Sequence, residues 1–425
     1  MRNWLAVLAA AALANGCYRS NPEFSCMDST QCTDGAGGVC QSSGFCSYTD
    51  SECGPAGRYG SLAGSLSGKC VDDSSGNHDI DAGTKPIDAP PDAPHFCFGS
   101  ATSIVKVCLD AMPNTALTID SVTTIDTTNS PMCATNVVSG GTGYCVVVAT
   151  DITINATLRG TGPKPLVLVA SGSITGNAGD SFIDVSTKRT GATELGAGHD
   201  FATCKPAVKA PTQKAGGAGG SFIGKGGDGG DGQSMGGTGG TAGAAITADT
   251  VTTLRGGCAG ADGDPMGANA GHGGGALFLI AKTKIDFAGT IIAGGEGGLG
   301  GPATKGGGGG GGSGGMIGFD APTIHVANGV YANGGGGGEG LSSGNTVGND
   351  GEDAFGSDAA RGGSRASNSG GDGGNGSSST SNGGGVTASS GDAGAGGGGG
   401  GGGVGIIKAP AGAIFDNKVY PAPTP

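Results

Sequence analysis

A mostly β fold is what this sequence predicts: a right-handed parallel β-helix or solenoid with long glycine-rich loops, preceded by a small disulfide-rich module. Three observations lead there. Short aliphatic runs recur along residues 96–425, glycine supplies 98 of the 425 residues, and six cysteines crowd between residues 18 and 70. A chain with 4% aromatic and 13% charged residues does not build an ordinary globular enzyme core. The excess of 35 acidic over 22 basic residues, net charge -13, lacks the electrostatic footprint of a nucleic-acid binder. A mean hydropathy of -0.05 is too neutral for a chain disordered throughout.

Residues 1–17 read as an export signal. Met1-Arg2-Asn3 is a short positive start, and the apolar run Trp4 to Leu13 is too short for a permanent membrane span. Ala14-Asn15-Gly16-Cys17 has the form of a lipobox, with Ala14 where leucine is usual. Cys17 is therefore the expected lipidation site and the membrane the expected partner, each buried methylene contributing about 0.8 kcal/mol. The destination that follows is the cell envelope, as an outer-membrane lipoprotein; cleavage without lipid, giving a secreted protein, is the alternative.

The 13 cysteines leave twelve once Cys17 is set aside. They form three even groups: Cys26, Cys32, Cys40, Cys46, Cys53 and Cys70; Cys97, Cys108, Cys133 and Cys145; and Cys204 and Cys258. Pairing within groups in an oxidising compartment is expected, with the connectivity of the larger groups left open. Zinc would want close C-x2-C pairs with histidines nearby, which are missing, so no metal and no cofactor is expected.

Residues 18–70 hold too few large apolar side chains to close a core and must be stapled by disulfides, as a recognition knob or a spacer. Residues 71–95 turn to Asp, Pro and Ala, as in Asp88-Ala89-Pro90-Pro91-Asp92, and read as an extended linker. Residues 96–425 carry internal repetition. Val146-Val147-Val148-Ala149 with Ile154 recurs 20 residues later as Leu166-Val167-Leu168-Val169 with Ile174. Leu277–Gly295 matches Met316–Gly334 at an offset of 39, aligning Ile285 with Ile324 and Ile291 with Val330. A weaker copy runs from Ile406 to Tyr420, and Thr157-Leu158-Arg159-Gly160 reappears as Thr253-Leu254-Arg255-Gly256.

Alternating Ile, Val and Thr over about four residues predicts half-buried strands. Copies stacked about 4.8 Å apart would align them into one interior; a β-sandwich is the rival arrangement. The excursions at roughly 186–243, 256–275, 294–315 and 334–403 contain most of the glycine. Fixing such backbone costs about 1–2 kcal/mol per residue against about 1 returned by one hydrogen bond. Isolated runs would be disordered, and order would require them to lie side by side as polyglycine II helices sharing backbone hydrogen bonds.

Candidate chemistry is sparse, and no catalytic residue is expected. Gly226 to Gln233 fits a calcium-binding nonapeptide only in part, Gln233 standing where an apolar residue belongs. Arg159 and Arg255 read as solvent-facing residues at corners of the coil. His78, His95, His199, His272 and His325 read as solvated side chains, with Asp286 aligned to His325 and no acidic or basic ladder formed.

Together, the lipobox-like Cys17, the cysteine module, the Asp-Pro-Ala linker, the span Cys97–Cys145, Thr157–Gly160 with Pro165–Ala170, and the glycine-rich repeats resemble exported glycine-rich, cysteine-module lipoproteins of myxobacteria. The resemblance implies export and anchoring and brings no activity with it. The expectation is an envelope-anchored surface protein with a structural or adhesive role, taking glycans or other cell-surface proteins as partners and catalysing nothing. The alternatives are a polysaccharide-acting β-helix lyase or hydrolase, and an ice- or matrix-binding polyglycine face.

Overall fold

The computed structural model describes residues 24–425 except 54–56, 72–95, 140–142, 178, 180, 203, 205–209, 234–235, 265–267, 304–305, 365–368 and 379–384. Cys17, the export signal, His78, His95 and nearly all of the linker fall outside the described residues. The chain divides into two units, Met1–Ala89 and Pro90–Pro425.

In the first unit, β1 (Val39–Cys40), β2 (Cys46–Tyr48) and β3 (Arg58–Tyr59) form an antiparallel sheet. Its core is sulfur: Cys26, Cys32 and Cys46 are buried, with Cys40 and Tyr48 packed on them. The disulfides Cys26–Cys40, Cys32–Cys46 and Cys53–Cys70 close loops of 14, 14 and 17 residues. Each contributes about 3 kcal/mol by restricting the unfolded chain, which replaces the apolar core that this composition cannot supply.

The second unit begins with β4 (Phe96–Phe98), β5 (Val107–Leu109), β6 (Leu117–Ile119), β7 (Thr123–Asp126) and β8 (Val137–Ser139). Strands β4, β5 and β8 make a separate antiparallel sheet. There follow β9 (Cys145–Ala149), β10 (Ile152–Ile154), β11 (Thr157–Thr161), β12 (Leu166–Ala170), β13 (Ser173–Gly176) and β14 (Phe182–Asp184). A short hairpin, β15 (Lys188–Arg189) with β16 (Thr193–Glu194), precedes β17 (Ala276–Ala281), β18 (Lys284–Phe287) and β19 (Thr290–Ile292). The last strands are β20 (Met316–Asp320), β21 (Ile324–Val326), β22 (Val330–Tyr331), β23 (Ile406–Lys408), β24 (Ile414–Phe415) and β25 (Val419–Tyr420). Helix is limited to short 3-10 turns among the described residues.

Three parallel sheets result: β9-β12-β17-β20-β23, β6-β10-β13-β18-β21-β24 and β7-β11-β14-β19-β22-β25. From β9 onward the chain visits the first, second and third sheet in turn and then adds the neighbouring strand to each. Equivalent side chains therefore stack. Ile152, Ile174, Ile285 and Ile324 pair strand to strand, and all four are buried in one cluster with Leu158, Ile183, Ile291 and Val330. At Gly176 a side chain is forbidden, since a Cβ there would lie 2.2 Å from the Phe287 ring that fills the space.

The first sheet is buried on both faces, which is why Leu166–Ala170 and Ala276–Ala281 are apolar without alternation. Leu166, Leu168 and Ala170 face the column. Val167 and Val169 face a second cluster with Phe98, Val107, Phe222 and Leu254.

The registers correct the repeat alignment in detail. Val146 pairs with Val167 rather than Leu166, and Ile152 rather than Ile154 pairs with Ile174. In the first pairing a slip of one residue would set Val146, which faces the second cluster, against column-facing Leu166. At Thr153–Thr175 the spacing is 22 residues, a shift of two from the repeat that keeps the same faces aligned. The offset of 39 holds at Asp286–His325. In the preceding strand, however, Leu277 pairs with Ile317 and Met316 with Ala276, the extra residue being absorbed at the corner before Lys284. Thr253–Gly256 is not a copy of β11: it lies outside the strands, and Leu254 belongs to the second cluster while Leu158 lines the column.

The glycine runs are ordered by the side-by-side arrangement. Gly308, Gly311 and Gly314 donate to Gly397, Gly400 and Gly403; Gly309, Gly312 and Gly315 donate to Leu299, Glu296 and Ala293; Gly310 and Ser313 donate to Ala261 and Cys258, all at 2.8–3.0 Å. The N–H direction returns every third residue, the threefold screw of a polyglycine II helix. Carbonyls of the same run accept from three further segments, as in Gly217 to Gly308, Gly338 to Gly309 and Gly271 to Gly310. Six neighbours thus surround one run. A Cβ on Gly310 would lie 2.0 Å from the Ala218 carbonyl oxygen, so close approach of backbones, rather than glycine's freedom of rotation, demands the residue here.

Candidate functional site

After the β15–β16 hairpin the chain is tied back to β11, Ala197 N donating to Gly160 O (3.2 Å) and Gly198 N to Gly162 O (2.8 Å). Phe201 N then donates to Gly257 O at 3.2 Å. These bonds set His199, Asp200 and Phe201 in the lining of an open groove of about 510 Å3, which Tyr144, Pro163, Pro165 and Leu254 also line.

Asp200 has left-handed backbone (φ 44°), which Asp tolerates better than most residues. Its Oδ1 accepts from Gly273 N at 2.7 Å, and its Oδ2 pairs with His272 Nδ1. The hydrogen bond to Asp200 raises the His272 pKa, opposed by burial and by Arg189 and assisted by the charges of Asp200 and Glu296. His199 meets His272 edge to face at 6.3 Å.

Behind this pair lies Glu296, 0% exposed. It accepts from His272 N (3.1 Å) and Thr193 Oγ1 (2.8 Å), and forms an ion pair with Arg189 Nη2 at 2.7 Å. Asp353 accepts from Arg189 N at 2.6 Å and Gly297 N at 2.9 Å, and burial pushes its carboxyl up.

Acceptance of a backbone N–H by a carboxylate is repeated across the bundle, there from half-buried or exposed side chains. Where a glycine run lacks a neighbouring carbonyl, an acidic side chain accepts its N–H: Asp262 from Ala270, Asp350 from Gly300, Asp231 from Gly239 and Asp228 from Ala242, each at 2.8 Å. The partial calcium motif at residues 226–233 is accounted for in this way, because Asp228 and Asp231 are occupied by separate backbone donors. Cys26, Cys32 and Cys46, which converge as possible metal ligands, are committed to disulfides.

Both arginines expected in solvent are buried, Arg159 at 5% and Arg255 at 7% exposure. Arg159 Nη1 pairs with Asp184 Oδ1 at 2.8 Å, and its Nη2 donates to the Glu194 carbonyl at 3.2 Å under the hairpin. Arg255 lies between the rings of Phe201 and Phe222, 4.3 and 4.5 Å from their centroids. Sequence reading missed both because the covering residues are remote in the chain.

His272 and His325 are likewise engaged rather than simply solvated. His325 stands between Asp286 (3.1 Å) and Asp416 (2.7 Å), and Lys284 reaches Asp286 at 3.0 Å. This mixed-sign row is half-exposed. Hydrogen bonds to Asp416 and then Asp286 raise the His325 pKa.

The remaining disulfides are Cys97–Cys108, Cys133–Cys145 and Cys204–Cys258. Every described cysteine is thus paired within its own group, and such disulfide density is consistent with an exported protein. No helix among the described residues is long and apolar enough to cross a membrane. No family model matches the chain, and no curated protein or solved structure matches it either.

Proposed function

We propose that this is an envelope-anchored surface protein with a structural or adhesive role and no catalytic activity, held to the membrane by lipid on Cys17. In this reading residues 96–425 form a right-handed parallel β-helix that carries a polyglycine slab. The observation that supports it best is the glycine run 308–315, hydrogen-bonded to six surrounding segments. Such a slab is stiff, almost free of side chains and indifferent to proteases that need an extended, accessible strand. It supplies reach and endurance rather than chemistry.

The groove is the surface where an adhesive ligand would sit. Tyr144, Pro163 and Pro165 offer apolar surface, and His199 and Asp200 offer polar groups in the same lining, a combination suited to the apolar face and hydroxyls of a sugar ring. Glycans of the cell surface are therefore the proposed partners.

The test has two arms. Full-length protein expressed with its leader in a Gram-negative host is expected to carry acyl mass on Cys17 and to partition with membranes, and Cys17→Ser to abolish both. Purified protein is expected to bind envelope polysaccharides on a glycan array, with Tyr144→Ala reducing binding. Absence of acyl mass removes the anchor, and absence of binding to any glycan removes the adhesive role.

A further inference from the structure

The Cys204–Cys258 disulfide has surroundings unlike those of the other five. Arg255 Nη2 stands 3.2 Å from each of its two sulfurs, and the guanidinium is enclosed by Phe201 and Phe222. Among the described residues no carboxylate pairs with Arg255. Burial pulls its pKa down to about 10, the direction expected of a cation removed from water without an anion. An unpaired buried charge is costly, and the oxidised site supplies no anion to offset it. Reduction would supply one at the sulfur.

The two sulfurs are not equivalent. Cys258 is 2% exposed, its N–H held by Ser313 Oγ at 2.7 Å. Cys204 is half-buried and follows Phe201 of the groove wall. We propose that Cys204–Cys258 is a thiol-exchanging disulfide, in which an external thiolate attacks Cys204 Sγ and Arg255 stabilises Cys258 as the leaving thiolate. In that step a bond forms between the incoming sulfur and Cys204, the Cys204–Cys258 bond breaks, and its electron pair leaves on Cys258 Sγ. A second external thiolate then attacks the incoming sulfur of the mixed disulfide. This releases an external disulfide and Cys204 thiolate, and two electrons have passed to the protein. Proximity to a cation favours the thiolate and speeds its departure.

The experiment uses full-length oxidised protein and reduced glutathione, with quenching by maleimide and mapping of labelled peptides by mass. Cys97–Cys108 is the internal reference, since Cys97 is exposed and access alone would make that bond the faster to open. The expected result is that Cys204–Cys258 opens about tenfold faster than Cys97–Cys108, with the glutathione adduct on Cys204. In the reduced protein, iodoacetamide alkylation of Cys258 should report a thiol pKa below the ordinary value of about 8.5. Arg255→Gln should raise that pKa and slow opening, and Arg255→Lys should restore part of both. Opening no faster than Cys97–Cys108, or an adduct on Cys258, overturns the proposal. The wild-type rates decide it even if the Arg255 variants fail to fold.

Discussion

Ile285 pairs with Ile324 across the neighbouring parallel strands β18 and β21, and both are closed to solvent, at 0% and 3% exposure. Each fills the space between rungs that the other borders, so neither can be shortened without opening a void. Ile285→Ala and Ile324→Ala are each expected to destabilise the second unit by about 2–5 kcal/mol. The double variant should cost less than the sum, because the two side chains share one cavity. Chemical unfolding followed by circular dichroism measures all three; strict additivity would contradict the stacking.

Gly310→Ala should disrupt the polyglycine bundle, since the new methyl would meet the Ala218 carbonyl oxygen at 2.0 Å, where backbone rather than a flexible side chain must move. Gly344→Ala is the control, its Cβ meeting only Ser342 Oγ at 3.8 Å. Hydrogen exchange across residues 306–315 should lose protection in the first variant and keep it in the second.

Asp184 should make stability depend on acid. Burial pushes its carboxyl up, but Arg159, Ser186 and Lys188 together outweigh burial and hold it below the usual 3.8. The unfolded chain then binds the proton more tightly, so this contribution is complete above about pH 4 and is lost as pH falls through the folded value. Asp184→Asn leaves buried Arg159 with only the more exposed Glu194 carboxylate, at 3.9 Å, and should cost about 3 kcal/mol at neutral pH. Unfolding midpoints between pH 7 and 2 should fall less steeply for the variant.

His272 works in the opposite direction. Its pKa is raised by Asp200 above the unfolded 6.5, so its contribution is present below that value and is lost as pH rises through the folded one. His272→Gln should remove this alkaline decline, so that the difference in thermal unfolding between pH 5.5 and 9 becomes smaller than in the wild-type protein.

Six disulfides predict a native mass about 12 Da below that of the fully reduced chain. Partial proteolysis before reduction should recover peptide pairs joined as Cys26–Cys40, Cys32–Cys46 and Cys53–Cys70. A different pairing in the first unit would displace its sulfur core.

By itself the sequence made the recurring aliphatic runs legible as strands, because the two-residue alternation of Ile, Val and Thr is a local property of extended chain and the copies repeat it. The antiparallel sheet β4-β5-β8 and the position of Thr253–Gly256 outside the strands were not legible in that repetition. It also made the grouping of cysteines legible, since small even clusters leave few partners. Register was legible only to within a residue or two: the aliphatic run before Leu166 is apolar on both faces, so its pattern does not say which side turns inward. The tertiary structure alone decided that the glycine runs are ordered and that Arg159 and Arg255 are buried. It alone brought Asp200, His272 and Glu296 together. The reason is that a glycine backbone gains order only when several other runs accept and donate its hydrogen bonds, and a charge is buried only by what covers it. In this protein those neighbours come from segments tens to hundreds of residues away.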